Sequence, residues 1–309
     1  MEAKKLDFCL TAEGLSKHYR HFKALDGLSI HVPKGSIYGL VGRNGAGKTT
    51  LIRLICGLQN PTCGEYTLYG KRNTEKEISQ VRRRMGAVVE APSIYSDMTA
   101  EENIRQQYLI LGLPSYDGIP ELLQLVGLED AGKKKARHFS LGMRQRLGIA
   151  VALAGDPDFL VLDEPANGLD PTGIVEMREL ILRLNRERQI TVLISSHILD
   201  ELSRLATHYG FLDHGRMVRE LSAGELEAIC KKCIRLKISD VNALVQVLDN
   251  MGLEYAIRDK AEADIYGEVN LSQLIIELSS QGCQVLGIQE HNESLESYFM
   301  SLIGGGEHE

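Results

Sequence analysis

No stretch of this 309-residue sequence is long and apolar enough to cross a bilayer. Its longer apolar runs, such as 148–155 and 159–162, fall far short of the ~18 residues a membrane helix needs. Cysteine is scarce: six thiols at Cys9, Cys56, Cys63, Cys230, Cys233 and Cys283 make no dense framework, which excludes a disulfide-stapled secreted scaffold and fits reduced cytoplasmic thiols. Only Cys230 and Cys233 form a CxxC, and no second CxxC or nearby histidine pair completes a tetrahedral site, so no metal is assigned there. Positive charge is not in excess. Thirty-five Lys plus Arg face 42 Asp plus Glu, a formal charge of −7, which argues against general affinity for nucleic acid or an anionic membrane. Residues 1–7 hold no apolar signal core. The expectation is therefore a cytoplasmic chain whose work at any membrane depends on a partner.

What is present is ordinary globular composition, 43% hydrophobic and 25% charged, in a length that suits about two domains. Residues 36–41 form a short apolar run, 42–47 break it with glycines, and 49–55 have helical character, giving strand, loop and helix in succession. Two later runs, 159–162 and 190–194, are continuous rather than alternating, as in parallel strands buried on both faces. In open α/β sheets ligands bind beyond the carboxyl ends of such strands, so these three ends should converge on one site. Between them Thr99-Ala100-Glu101-Glu102 has capping-box spacing for a helix through Leu111, and a further helix is predicted over 143–154. After about residue 220 the pattern becomes strand 234–238, helix 241–251, strands 254–258 and 264–269, helix 271–280 and strand 284–288. That βαββαβ order predicts a small ferredoxin-like domain. A last amphipathic helix over 295–303 precedes a glycine-rich tail that is expected to be disordered. The basic clusters Arg82-Arg83-Arg84 and Lys133-Lys134-Lys135 read as solvated faces.

The chemistry begins at Gly42-Arg43-Asn44-Gly45-Ala46-Gly47-Lys48-Thr49, which fits GxxxxGK[ST]. Glycines let backbone N–H groups wrap phosphates, the helix N-terminus adds partial positive charge, Lys48 reaches the β- and γ-phosphates, and Thr49 ligates Mg²⁺. Asp163 and Glu164 follow the run 159–162. In that arrangement the first acid serves Mg²⁺ and the second, near the γ-phosphate, is the candidate general base.

With Phe139-Ser140-Leu141-Gly142-Met143 placed just before that strand, the sequence resembles the nucleotide-binding subunit of ATP-binding-cassette (ABC) transporters, whose signature is LSGGQ. Ser140 and Gly142 keep two signature positions while the other three differ. Ser140 opens a helix whose dipole and hydroxyl can address a γ-phosphate. The resemblance implies a P-loop ABC ATPase fold over residues 1–220, with a helical subdomain at about 91–155, followed by an accessory or dimerisation domain over 221–309. It further implies that Tyr19 stacks on adenine, that Asn167-Gly168-Leu169-Asp170 is the D-loop, and that His197 is the switch histidine of catalysis. Gly42, Asn44, Gly45, Ala46, Gly47, Lys48, Thr49, Thr50, Ser140 and Gly142 are then the remaining ATP-contacting positions. The notable departure is Glu90, in Val89-Glu90-Ala91, where the family has a neutral Gln. It remains a candidate Mg²⁺ ligand with Thr49 and Asp163, at the expense of repulsion from the γ-phosphate. Glu90 and the altered signature both resemble the bacitracin and lantibiotic export branch.

The expected protein is an MgATPase working as a homodimer beneath a separate integral-membrane permease, at the inner face of the cell membrane, with no nucleic-acid partner. A soluble cassette acting on DNA or ribosomes is one competing reading. Against it, too little chain separates Lys48 from Ser140 for the long coiled coil of DNA-repair relatives, and only one cassette is present. A non-catalytic nucleotide sensor is another, and it would require Glu164 to be missing.

Overall fold

The computed structural model describes residues 7–229, 233–259, 261–267, 269–291 and 295–304. The glycine-rich tail at 305–309 and Cys230 of the CxxC lie outside the described residues. The chain divides into two compact units, Met1–Ala223 and Gly224–Glu309.

The first unit opens with β1 (Phe8–Tyr19), β2 (Phe22–Pro33) and β3 (Ile37–Val41), then α1 (Lys48–Ile55), β4 (Cys63–Leu68) and β5 (Lys71–Arg72). There follow α2 (Ile78–Val81), β6 (Met85–Val88), α3 (Ala100–Leu111), α4 (Ile119–Leu125) and α5 (Leu141–Leu153). β7 (Phe159–Asp163), α6 (Pro171–Arg188), β8 (Thr191–Ser196), α7 (Leu199–Ser203), β9 (His208–Asp213) and β10 (Arg216–Ser222) complete it.

The continuous apolar runs become β3, β7 and β8, whose residues are all buried. They belong to a six-stranded sheet of order β10-β9-β3-β8-β7-β6, parallel except for the β9–β10 pair. The register pairs Val41 with Ser196 and Asp163 with Ser195, so the carboxyl ends of β3, β8 and β7 stand side by side. A second, antiparallel sheet of order β2-β1-β4-β5 lies against α1. Leu51, Ile52, Leu54 and Ile55 of α1 are fully buried in one cluster with Leu28 and Ile30 of β2 and Phe159 and Val161 of β7. Each such side chain contributes roughly 1.5–3 kcal/mol of apolar burial, which fixes α1 firmly between the sheets.

The capping box forms as the spacing predicts: Glu102 N–H donates to Thr99 Oγ1 at 3.2 Å and Thr99 N–H to Glu102 Oε2 at 2.7 Å. The hydrogen bond from Thr99 N–H holds the Glu102 carboxyl below its ordinary range. α5 starts at Leu141, ahead of the predicted 143, because Ser140 caps it and accepts from Met143 N–H at 3.2 Å. The arginine cluster is more than a solvated face. Arg82 hydrogen-bonds the Tyr66 hydroxyl, while Arg84 pairs with Asp158 and stacks 3.8 Å over the Tyr69 ring.

In the second unit α8 (Ala223–Ile229) leads to β11 (Cys233–Ile238), α9 (Val241–Met251), β12 (Glu254–Asp259), β13 (Glu262–Tyr266), α10 (Leu271–Ser280), β14 (Val285–His291) and α11 (Leu295–Gly304). The antiparallel sheet has order β12-β13-β11-β14, the split βαβ arrangement of ferredoxin-like folds. Leu236, Ile238, Ala263 and Ile265 of the sheet pack on Leu244, Leu248, Leu274 and Leu278 of α9 and α10. Asp264 lies under the guanidiniums of Arg235, with contacts of 2.6 and 3.0 Å, and Arg258 at 2.6 Å.

Candidate functional site

The loop from β3 to α1 is shaped by glycines, and Gly47 is the most constrained by its conformation and its neighbours together. Gly47 has φ 110°, and a Cβ there would lie 2.6 Å from the Ala24 carbonyl oxygen and 2.8 Å from Leu25 Cδ2. Gly47 also stands at the N-cap of α1 and offers no side chain, so the first-turn N–H groups face outward for a ligand. A helix N-terminus presented in this way is an anion site.

Lys48 is buried, and its ammonium donates to the carbonyl oxygens of Gly42 at 2.6 Å and Arg43 at 3.3 Å. It also pairs with Glu164 Oε1 at 3.3 Å. Glu164 follows β7 with φ 50°, so the strand ends in a left-handed turn at this residue. Its backbone N–H donates to Ser195 Oγ at 2.9 Å, and Ser195 in turn donates its hydroxyl proton to Asp163 Oδ1 at 2.6 Å. The other oxygen of Glu164, Oε2, is hydrogen-bonded to His197 Nδ1. Lys48, Asp163, Glu164 and His197 thus form one connected cluster at three adjacent strand ends, with Ser195 as the link. The role of Ser195 needs the β7–β8 register that sets it beside Asp163.

Other predicted positions stand apart from that cluster. Tyr19 ends β1 opposite Phe22, its hydroxyl hydrogen-bonded to Gln59 and Lys17 Nζ 5.3 Å above its ring. Glu90 follows β6 with φ 62° and forms an ion pair with Arg53 of α1. Ser140 is exposed at the start of α5. A Cβ at Gly142 would come within 3.7 Å of Leu169, and one at Gly168 within 3.2 Å of Leu141, so the signature and the D-loop are neighbours. Asp170 caps α6 through Gly173 N–H at 3.0 Å, ahead of Pro171 at the first helical turn. That Asp-Pro pair is a helix-start signal the sequence carried. Asn44 and Gly45 are exposed on the loop, Ala46 is buried, and Thr49 and Thr50 are half-buried at the start of α1.

A glycine loop on a helix N-terminus, a buried lysine and a strand-end carboxylate pair suit phosphate chemistry, and comparison with known proteins decides the family. The profile of the ABC transporter family matches residues 25–167. A bacitracin transport ATP-binding protein of Bacillus licheniformis is 42% identical over 298 residues, covering 94% of this chain and 96% of that one. The chain belongs to the ABC transporter ATP-binding family. A lantibiotic transport ATP-binding protein of Streptococcus pyogenes is 39% identical over 211 residues, 68% of this chain and 90% of the relative. Among solved structures, an ATP-binding cassette captured as a post-hydrolysis dimer with ADP and Pi matches with TM-score 0.63 at 25% identity, over 69% of this chain and 98% of the cassette. As an ABC ATP-binding subunit, the protein binds nucleotide and hydrolyses ATP. No helix among the described residues is long and apolar enough to cross a membrane.

Proposed function

We propose that this ABC ATP-binding subunit hydrolyses MgATP as a homodimer to drive a separate integral-membrane permease that exports a peptide antibiotic or related amphiphile. The observation that carries the site assignment is the shared contact of Glu164 with Lys48 and His197 at the end of β7. In this reading Lys48 and the first N–H groups of α1 hold the β- and γ-phosphates, and Tyr19 meets the adenine. Glu164 takes the proton of the attacking water, while His197 moves from Glu164 to the γ-phosphate. The ion pair with Lys48 restrains the base until phosphate oxygens compete for the lysine, so water activation waits for substrate.

Thr49 and Asp163 are the oxygen donors for Mg²⁺, with Glu90 as a third. The described residues hold no group of three or more His, Cys, Asp or Glu able to cage a cation. One hydroxyl with one or two carboxylates suits a cation that keeps several waters and also binds substrate phosphates. Bound there, it would neutralise charge developing on the phosphoryl oxygens.

Ser140 and Gly142 are assigned to the γ-phosphate held by the second copy. An exposed serine capping a 13-residue helix supports this, since it has phosphate-binding chemistry but no contact with its own Lys48. Permease docking is supported by Leu109 and Ile110, 56% and 65% exposed at the end of α3. Leu111, which follows them in α3, lines a groove of about 400 Å³ with Arg83, Val89, Ser93 and Gln107. The cargo class rests on the bacitracin and lantibiotic relatives, and location at the inner membrane face follows from the permease. Tagged protein purified from its native membrane in mild detergent should bring down a polytopic partner. Ile110→Asp should lose that partner while still binding ATP; a partner retained at the wild-type level would refute this docking surface.

A further inference from the structure

Glu90 puts a negative charge where the ABC family has a neutral amide, and such a carboxylate near a γ-phosphate requires a countercharge. Arg53 supplies it: its guanidinium hydrogen-bonds Glu90 Oε1 in an ion pair whose side chains are 34% and 58% exposed. The turn that presents Glu90 is left-handed at φ 62°, and the neighbouring Val89 packs against the core, so the backbone beneath the carboxylate is anchored. Arg53 is also specifically placed on α1. It follows Thr49 by four residues, so the two half-buried side chains share one face of the helix, with Cβ atoms about 5–6 Å apart. The carboxylate of Glu90 is therefore paired with a residue on the helix face that carries Thr49.

We infer that Arg53 is a positioning residue that holds Glu90 from the helix face carrying Thr49 and competes with the divalent cation for its carboxylate. The inference rests on the reading of Thr49 and Glu90 as cation ligands. While the pair is closed, the guanidinium cancels the charge of Glu90 and keeps it off the incoming phosphates. When MgATP is bound, Glu90 leaves Arg53 for the cation, so the charge that would repel the γ-phosphate is again opposed by a positive one. A half-exposed ion pair shifts an equilibrium only a few-fold, which makes it a reversible holder rather than a lock.

The test is Mn²⁺ binding to the full chain with a non-hydrolysable ATP analogue, followed by the electron paramagnetic resonance signal of free Mn²⁺. Arg53→Ala should tighten Mn²⁺ about two- to fivefold, and Glu90→Gln should weaken it. In a Glu90→Gln background, Arg53→Ala should have no further effect. If Arg53→Ala tightens Mn²⁺ equally in both backgrounds, Arg53 acts by simple charge repulsion and the inference is overturned, with Glu90 still a ligand. If Glu90→Gln leaves Mn²⁺ affinity unchanged, the ligand reading itself fails and the inference falls with it.

Discussion

Replacing Glu164 by Gln separates the two functions proposed for the cluster. The amide is nearly isosteric and can still accept from Lys48, and Lys48 keeps its contacts to Gly42 O at 2.6 Å and Arg43 O at 3.3 Å. The phosphate site should therefore stay formed. General-base catalysis is worth about 100- to 10,000-fold, so kcat should fall by that factor. Binding should move the other way. The wild-type ammonium must leave a charged oxygen 3.3 Å away, in a cluster where Lys48 is 6% and Glu164 20% exposed, before it can serve a phosphate. The amide keeps a hydrogen bond to the ammonium but loses the ion-pair attraction, worth about 1 kcal/mol for a partly exposed pair, so it should tighten nucleotide roughly fivefold. Removing the carboxylate's repulsion of the γ-phosphate adds to the same sign. Phosphate release reads the first effect. Titration of both proteins with a non-hydrolysable ATP analogue reads the second, and sedimentation should find a nucleotide-dependent dimer. Hydrolysis at the wild-type rate would remove Glu164 from the chemistry. Slower hydrolysis with weaker nucleotide binding would refute the idea that the Lys48–Glu164 pair opposes substrate.

Two further outcomes test the scaffold. Gly47→Ala combines left-handed strain of about 1–2 kcal/mol with overpacking of about 1–3 kcal/mol against Ala24 and Leu25, whereas Gly45→Ala, with φ 83° and nothing within 4 Å, meets the strain alone. Thermal unfolding should rank Gly47→Ala well below Gly45→Ala; equal stability would contradict the loop geometry. In the second unit, the guanidinium of Arg235, with that of Arg258, holds the Asp264 carboxyl down from 3.8 to about 2. A depressed carboxylate stabilises above its unfolded value, so this contribution is present at neutral pH and is lost as pH falls from near 3.8 through about 2. With screening of the partly exposed arginines, about 1–2 kcal/mol is involved. Asp264→Asn should lose it at neutral pH and flatten the acid limb. Hydrogen exchange of β11 and β13 in graded urea checks this, and an unchanged acid limb would remove Asp264 as its source.

The division between sequence and structure follows the range of the interactions. The P-loop, the Asp163-Glu164 pair, the Thr99 capping box and the strands β3, β7 and β8 depend on residues within a few positions of one another, so spacing alone made them readable. The β2-β1-β4-β5 sheet escaped a sequence reading because register shifts interrupt the β1–β2 and β1–β4 pairings and blur any alternation. Ser195 and Arg53 were invisible for a related reason. A serine in a strand and an arginine on a helix carry no signal until the fold brings Ser195 beside Asp163 and Arg53 beside Glu90, residues 32 and 37 positions distant. By itself, then, the sequence determined the nucleotide chemistry and the family, because phosphate binding is built from contiguous backbone and a few fixed neighbours. Only the tertiary structure decided what restrains Glu164 and what balances Glu90. Ion pairs form between side chains brought close in space, and in both cases the partner is distant in the chain.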